Sequence, residues 1–407
     1  MTIRRELVTI PTVFGEMLPG KVGLIELTQF TEVASREVKK KLEELIEEDA
    51  RGFILDLRSN PGGLLREARR VADLFLPKRK LVVTTESRLD DPEKLYTRQD
   101  SLIPDDIPLV ILVNRHSASA SEIVSGALQD HGRATIVGQR TFGKGSVQNL
   151  LLFGKDDVSI DENGNRRHDE WEELKVDQDG DGEFDFAPRV KLTIARYVLP
   201  SGRSIHRELD EEGTIKNPGG VEPDIEIGPR RWETWQLRDI SRLTKMKAVQ
   251  SFAQDLFSRD RERMEELAHC DERDPSKYEG FDEFFAGLDT RLTEEDLRFL
   301  VRRELRRLIQ DGRGFEYPRG DFQEDTQVQA ALQHLFEAFG EDPMDHSMYL
   351  TTFLPRDTGI LQAPTTLATR EQFLRDAHIL LAGARRGQEV DDGTLDQIED
   401  LLDELDS

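Results

Sequence analysis

The feature that most constrains this chain is a change of rhythm near Gly228. Before it, short β-rich runs alternate with helical periodicities; beyond Arg230 the strands stop. Residues 21–30 read as a strand, and 37–48 as a helix with Val38, Leu42, Leu45 and Ile46 on one face. Residues 52–57 form an apolar run of strand length, punctuated by Asn60-Pro61-Gly62-Gly63, and 64–75 read as a helix. Leu109–Val113 is wholly apolar and follows Pro108, which suits a parallel strand buried on both faces. A helix over 122–129 and strands over 134–137 and 190–198 continue the alternation, which specifies an α/β core. Residues 234–267, 293–309, 325–339, 369–384 and 391–406 are amphipathic and rich in helix formers, so the second half is mostly helical.

Charge and composition remove whole classes of function. The 407 residues carry 81 acidic and 56 basic side chains, a formal net charge of −25, which repels phosphate backbones. No nucleic-acid partner is expected. No apolar run approaches the roughly 18–20 residues of a transmembrane helix. Residues 1–18 lack the apolar run, about 7–15 residues long, of a secretion signal. The single cysteine, Cys270, excludes an intramolecular disulfide and a cysteine-rich zinc site.

Three segments of the α/β half carry residue types suited to chemistry. Asp56-Leu57-Arg58-Ser59-Asn60-Pro61-Gly62-Gly63 follows a strand, and its paired glycines let backbone N–H groups approach a developing oxyanion. A simple strand–helix turn explains it equally. Asn114-Arg115-His116-Ser117-Ala118-Ser119-Ala120-Ser121-Glu122 links a buried strand to a helix, where the macrodipole favours negative charge on a serine oxygen. The plain alternative is a helix cap, supported by Glu122. In Thr141-Phe142-Gly143-Lys144-Gly145-Ser146-Val147-Gln148, a lysine buried between glycines would lose its proton readily and serve as a general base. An exposed lysine is the alternative, and the P-loop spacing is absent. His116 and His131 keep a Ser-His arrangement open, whereas the absence of G-x-S-x-G removes an α/β-hydrolase elbow.

As a set these segments, with TIARYVLPSGRSIHR and GGVEPDIEI, resemble the carboxyl-terminal processing peptidases, or tail-specific proteases, over residues 20–228. The resemblance implies a ClpP/crotonase-like β-α core and a Ser-Lys serine endopeptidase acting on unfolded or extended polypeptides with apolar tails. It puts the nucleophile at Ser119, the general base at Lys144, and the lysine-orienting glutamine at Gln148. The oxyanion donors fall on the N–H of Ala120 and of Gly62 or Gly63. No cofactor is required. In a straight strand Lys144 and Gln148 would stand about 13 Å apart, so their contact needs a curled backbone.

The chain also departs from that family. The expected organisation is a remnant over 1–18 resembling the last strand of a PDZ domain, a protease core over 19–229 with an acidic insertion at 155–187, and a helical C-terminal domain over 230–407. The family usually works in the periplasm or another extracytoplasmic space, which the N-terminus as given does not signal. In the insertion, Asp177, Asp179, Asp181, Glu183 and Asp185 follow EF-hand spacing, with Gly182 at the turn position but Pro188 where the bidentate glutamate belongs. Calcium is weighed there against a solvated hairpin. The helical domain is a candidate surface for homo-oligomer assembly. Two other functions stand beside a peptidase: a catalytically idle or gated peptide-binding scaffold, and an acyl-CoA enzyme of crotonase-like fold, which the net charge disfavours.

Overall fold

The computed structural model describes residues 11–87, 91–152, 158–159, 174–176, 185–186, 189–209, 213–313, 320–349 and 351–353. Two compact units divide the chain, Met1–Pro229 and Arg230–Ser407.

The first unit opens with β1 (Val13–Leu18), β2 (Val22–Leu27), α1 (Ala34–Glu47), β3 (Gly52–Asp56) and α2 (Leu65–Ala72). It continues through β4 (Leu81–Ser87), β5 (Glu93–Tyr96), β6 (Leu109–Val113), α3 (Ala120–Asp130), β7 (Thr135–Gly138) and β8 (Ser146–Leu152). Short strands β9 (Val158–Ser159), β10 (Leu174–Val176) and β11 (Asp185–Phe186) precede β12 (Arg189–Val198), β13 (Glu208–Leu209), β14 (Ile215–Asn217) and β15 (Ile225–Glu226).

A six-stranded sheet runs β1-β2-β3-β6-β7-β15, parallel throughout except for β1. Val13–Leu18, at the end of the 1–18 stretch, forms the antiparallel edge of the core sheet, in register from Val13 opposite Leu27 to Leu18 opposite Val22, while residues 1–10 lie outside the described residues. Every residue of β3 and β6 is buried, as the unbroken apolar run of Leu109–Val113 requires. Helix α1 buries Val38, Leu42 and Leu45 and turns Lys39, Lys40, Glu43 and Glu44 to solvent. A second, antiparallel sheet runs β5-β4-β12-β8. Helix α3 packs on both β4 and β7, so residues 120–128 are buried on all sides.

The helical unit contains α4 (Thr234–Lys245), α5 (Ala248–Arg259), α6 (Arg261–His269), α7 (Phe281–Ala286), α8 (Glu294–Arg313) and α9 (Thr326–Phe339). The continuous periodicity of 234–267 is in fact cut twice. Lys247 takes a left-handed conformation, φ 55°, and Asp260 caps a new helix by accepting from the Arg263 N–H. The expected helices over 369–384 and 391–406 lie outside the described residues. Among the described residues no helix is long and apolar enough to cross a membrane.

Candidate active site

Three neighbouring parallel strands, β3, β6 and β7, deliver their carboxyl ends to one edge of the sheet, the usual crevice of α/β folds. The glycine turn, the serine turn and the lysine loop follow these three strands in that order.

Hydrogen bonds separate the three serines. Ser117 donates from its hydroxyl to the Leu57 carbonyl at 2.7 Å and accepts from the Asn114 N–H at 3.0 Å. Ser121 donates to the Asn60 carbonyl at 3.0 Å. Both are buried and committed to holding the turn. Ser119 is half-buried and closes a capping box with Glu122: its side chain faces the Glu122 N–H, and the Glu122 carboxylate accepts the Ser119 N–H at 2.8 Å. It stands at the start of α3 with φ 56° and ψ −112°, a conformation that L residues rarely adopt and that marks strained functional turns.

Asn60 organises the facing glycine turn. Its Nδ2 donates to the Leu27 carbonyl at 2.7 Å, its Oδ1 accepts the Gly62 N–H at 2.8 Å, and its carbonyl accepts the Ala118 N–H at 3.0 Å. Gly62 is pressed against the serine turn: a Cβ there would lie 2.7 Å from the Ala118 oxygen and 2.8 Å from Ser119 Cβ. Of the two glycines expected as oxyanion donors, Gly62 therefore has its N–H engaged by Asn60. The N–H groups of Gly63 and Ala120 have no acceptor among the described residues.

The hub of the site is Glu122, fully buried at 0 % exposure. Its Oε1 accepts from Thr141 Oγ1 and the Gly143 N–H, each at 2.6 Å. Its Oε2 accepts the N–H of Ser119 and of Lys144, each at 2.8 Å. The Ser119 and Lys144 backbone nitrogens can be no further apart than twice that distance. Burial pushes the Glu122 carboxyl above the usual carboxylate range, although Thr141, Gly143, Ser119 and Lys144 all donate to it. The sequence presents Glu122 only as support for a helix cap. The stronger signal is a carboxylate inside a helix buried on every face, which has no route to water and must be met by donors.

The lysine loop is held from both sides. Gly143 accepts from the Arg207 N–H at 3.0 Å and Gly145 from the Tyr197 N–H at 2.8 Å. A Cβ on Gly145 would stand 2.3 Å from the His206 nitrogen, so only glycine fits. Lys144 itself is exposed, which settles the open choice between a buried and an exposed lysine, and its side chain makes no hydrogen bond to the Ser119 hydroxyl. The loop runs close to the surface. Lys144 precedes β8 in irregular backbone, with Gly143 at φ 90°, so the straight-strand separation from Gln148 does not apply. The Gln148 backbone pairs with Thr193, and its side chain lies outside the described residues.

Neither histidine of the Ser-His alternative meets Ser119. His131 closes the far end of α3, about 18 Å along the helix, with Nε2 2.8 Å from the Leu81 carbonyl. His116 is exposed, and its ring contacts Arg115 Nε at 3.3 Å. Asp130, at the same end of α3, pairs with Arg203 at 2.9 Å and accepts the Ser201 N–H at 2.8 Å. Of the calcium candidates, Asp177, Asp179, Asp181 and Glu183 lie outside the described residues, as does the side chain of Asp185. Among the described residues no three His, Cys, Asp or Glu converge as metal ligands.

A family model for peptidase family S41 matches residues 21–227, and the chain belongs to that family. It is similar to the carboxyl-terminal-processing protease of Synechocystis sp., with 38% identity over 210 residues, 51% of this chain and 41% of that protein. The carboxyl-terminal-processing protease of Picosynechococcus sp. is 47% identical over 208 residues, again 51% and 41% of the two chains. Among solved structures, the photosystem II D1 C-terminal processing protease is 28% identical with a TM-score of 0.38, covering 54% of this chain and 49% of that one. The chain thus spans about two-fifths of the length of these two curated relatives.

Proposed function

We propose that this chain is a serine endopeptidase in which Ser119 is the nucleophile and Lys144 the general base. The observation that carries the reading is the Glu122 carboxylate, which binds the backbone of both residues while Ser117 and Ser121 are committed elsewhere. Neutral Lys144 takes the hydroxyl proton as Ser119 Oγ bonds to the scissile carbonyl carbon. The Gly63 and Ala120 N–H groups face the oxyanion. The C–N bond then breaks, Lys144 passes the proton to the leaving amine, and an acyl-enzyme remains. Water, deprotonated by the same lysine, attacks the ester; Ser119 leaves with the proton restored.

The exposed position of Lys144 gives substrate a second task. A polypeptide lying over the loop excludes water from the amine, and catalytic hydrogen bonds often tighten only in such complexes. Extended chains with apolar tails, added as a strand beside the site, meet that need. The same exposure favours one other reading, a gated scaffold that binds peptide without turning it over. Cleavage of an unfolded, apolar-tailed protein distinguishes them. The peptidase reading expects cleavage by the wild type and none by Ser119→Ala, whereas folded wild type without activity supports the scaffold.

A further inference from the structure

Beside the catalytic turn the molecule carries a cationic groove that the reaction does not use. A cavity of about 500 Å³ is lined by Leu64, Leu65 and Leu95 and by Arg66, Arg69, Arg70 and Arg98. A second, of about 440 Å³, shares Arg69, Arg70 and Arg98 and adds Arg36 and Lys39. In a chain of net charge −25 this gathering of cations is anomalous. Part of it is neutralised internally. Arg69 pairs with Asp73 at 2.6 Å, Arg70 with the buried Glu67 at 2.6 Å, Arg66 with Glu32, and Lys39 with Glu43 at 3.5 Å. Arg36 and Arg98 are exposed, and neither guanidinium has a carboxylate partner among the described residues.

The groove adjoins the reaction centre. Leu64 directly follows Gly63, and its N–H is fixed to the Phe30 carbonyl at 2.9 Å. Gly62, two residues away, touches the Ser119 turn, and two residues of chain reach at most about 7 Å. A polypeptide seated at the oxyanion turn therefore passes the mouth of the groove.

We propose that this groove binds an acidic, leucine-rich stretch of the polypeptide substrate next to the scissile bond and so sets specificity; the position of that stretch rests on the peptidase reading. The leucine floor and the arginine stems take apolar side chains. The free guanidiniums of Arg36 and Arg98 take carboxylates in bidentate pairs. Because the pairs are at the rim, the preference is electrostatic and falls with added salt.

The test uses the full-length Ser119→Ala chain, in which binding is read without turnover. Two fluorescent peptides of equal length, one alternating Leu with Glu and the other Leu with Lys, are compared by anisotropy at low and high salt. The acidic peptide should bind about tenfold more tightly at low salt. Salt should erase most of that difference, and Arg36→Glu with Arg98→Glu should abolish it. Arg98→Gln alone should halve it at least, which covers the case of a double variant that fails to fold. The same substitutions in the Ser119 enzyme should leave cleavage of a short uncharged peptide unchanged. Equal binding of the two peptides, a preference that survives the substitutions, or displacement by an oligonucleotide as effective as by the acidic peptide would overturn the proposal. Failure of the wild type to cleave any peptide would instead strike the Ser-Lys reading and leave the binding result standing.

Discussion

At the scale of single residues, the site turns on Glu122 and on the strained backbone of Ser119. Replacing Glu122 by Gln keeps the shape but turns an amide N–H₂ toward groups that are themselves donors. Loosening both catalytic segments in this way should lower kcat about 100-fold with a far smaller change in KM. Burial raises its folded pKa above the ordinary glutamate value, so the native state holds that proton more tightly than the unfolded chain does. The associated stability is present below the unfolded value and lost as pH rises through the folded one. Protonation also removes a lone pair from one of four donors, so activity should begin to fall on the acid side above the usual carboxylate range. A pH–rate profile of Glu122→Gln should lack that inflection. Ser119 offers a separate check. Its φ of 56° costs a β-carbon-bearing residue about 1–3 kcal/mol. Ser119→Gly should therefore melt higher than Ser119→Ala, both being inactive.

At the scale of elements, the glycine and serine turns form one object. Gly62→Ala would place a methyl 2.7 Å from the Ala118 oxygen at a φ of 100°, and should destabilise the unit by about 2 kcal/mol or more while abolishing activity. Thermal unfolding and turnover of that variant check both halves. The alternation of strand and helix, the central buried strand and the three chemical segments were legible in the sequence because they are local patterns. The sorting of the serines was not. Ser117 and Ser121 are fixed by oxygens 60 and 61 positions away, and such contacts leave no local signature. The exposure of Lys144 escaped for a similar reason. Flanking glycines suggest a tight loop, but whether it faces core or water depends on Arg207 and Tyr197, which come from another part of the chain. The break at Lys247 carries neither glycine nor proline, so nothing local in the sequence marks it.

At the scale of the whole molecule, each unit is held differently. The first unit has a continuous apolar core from Val13 to Val221. The helical unit adds a buried charge cluster. Arg298, fully buried, reaches Asp271 at 2.7 Å and also pairs with Glu324 and Glu295, while the Tyr278 hydroxyl donates to Asp271 at 2.6 Å. Burial alone would raise the Asp271 carboxyl, but Arg298 and Arg302 hold it below its ordinary value. A depressed carboxylate contributes stability that is present above its unfolded value and lost as pH falls through the folded one. The helical unit should thus loosen below about pH 4, seen as a change in tryptophan fluorescence from Trp232 and Trp235. Arg298→Ala should cost it about 3–5 kcal/mol by leaving Asp271 unpaired, measured by denaturant unfolding.

The central claim is that Ser119 is a nucleophile activated by Lys144. Its most direct test is intact-mass analysis of the chain after treatment with a fluorophosphonate, for wild type, Ser119→Ala and Lys144→Ala. One adduct is expected on the wild type, mapped to Ser119, and little or none on either variant at the same time point. An adduct on Ser117, Ser121 or another residue, or a Lys144→Ala chain that labels as fast as the wild type, would contradict it.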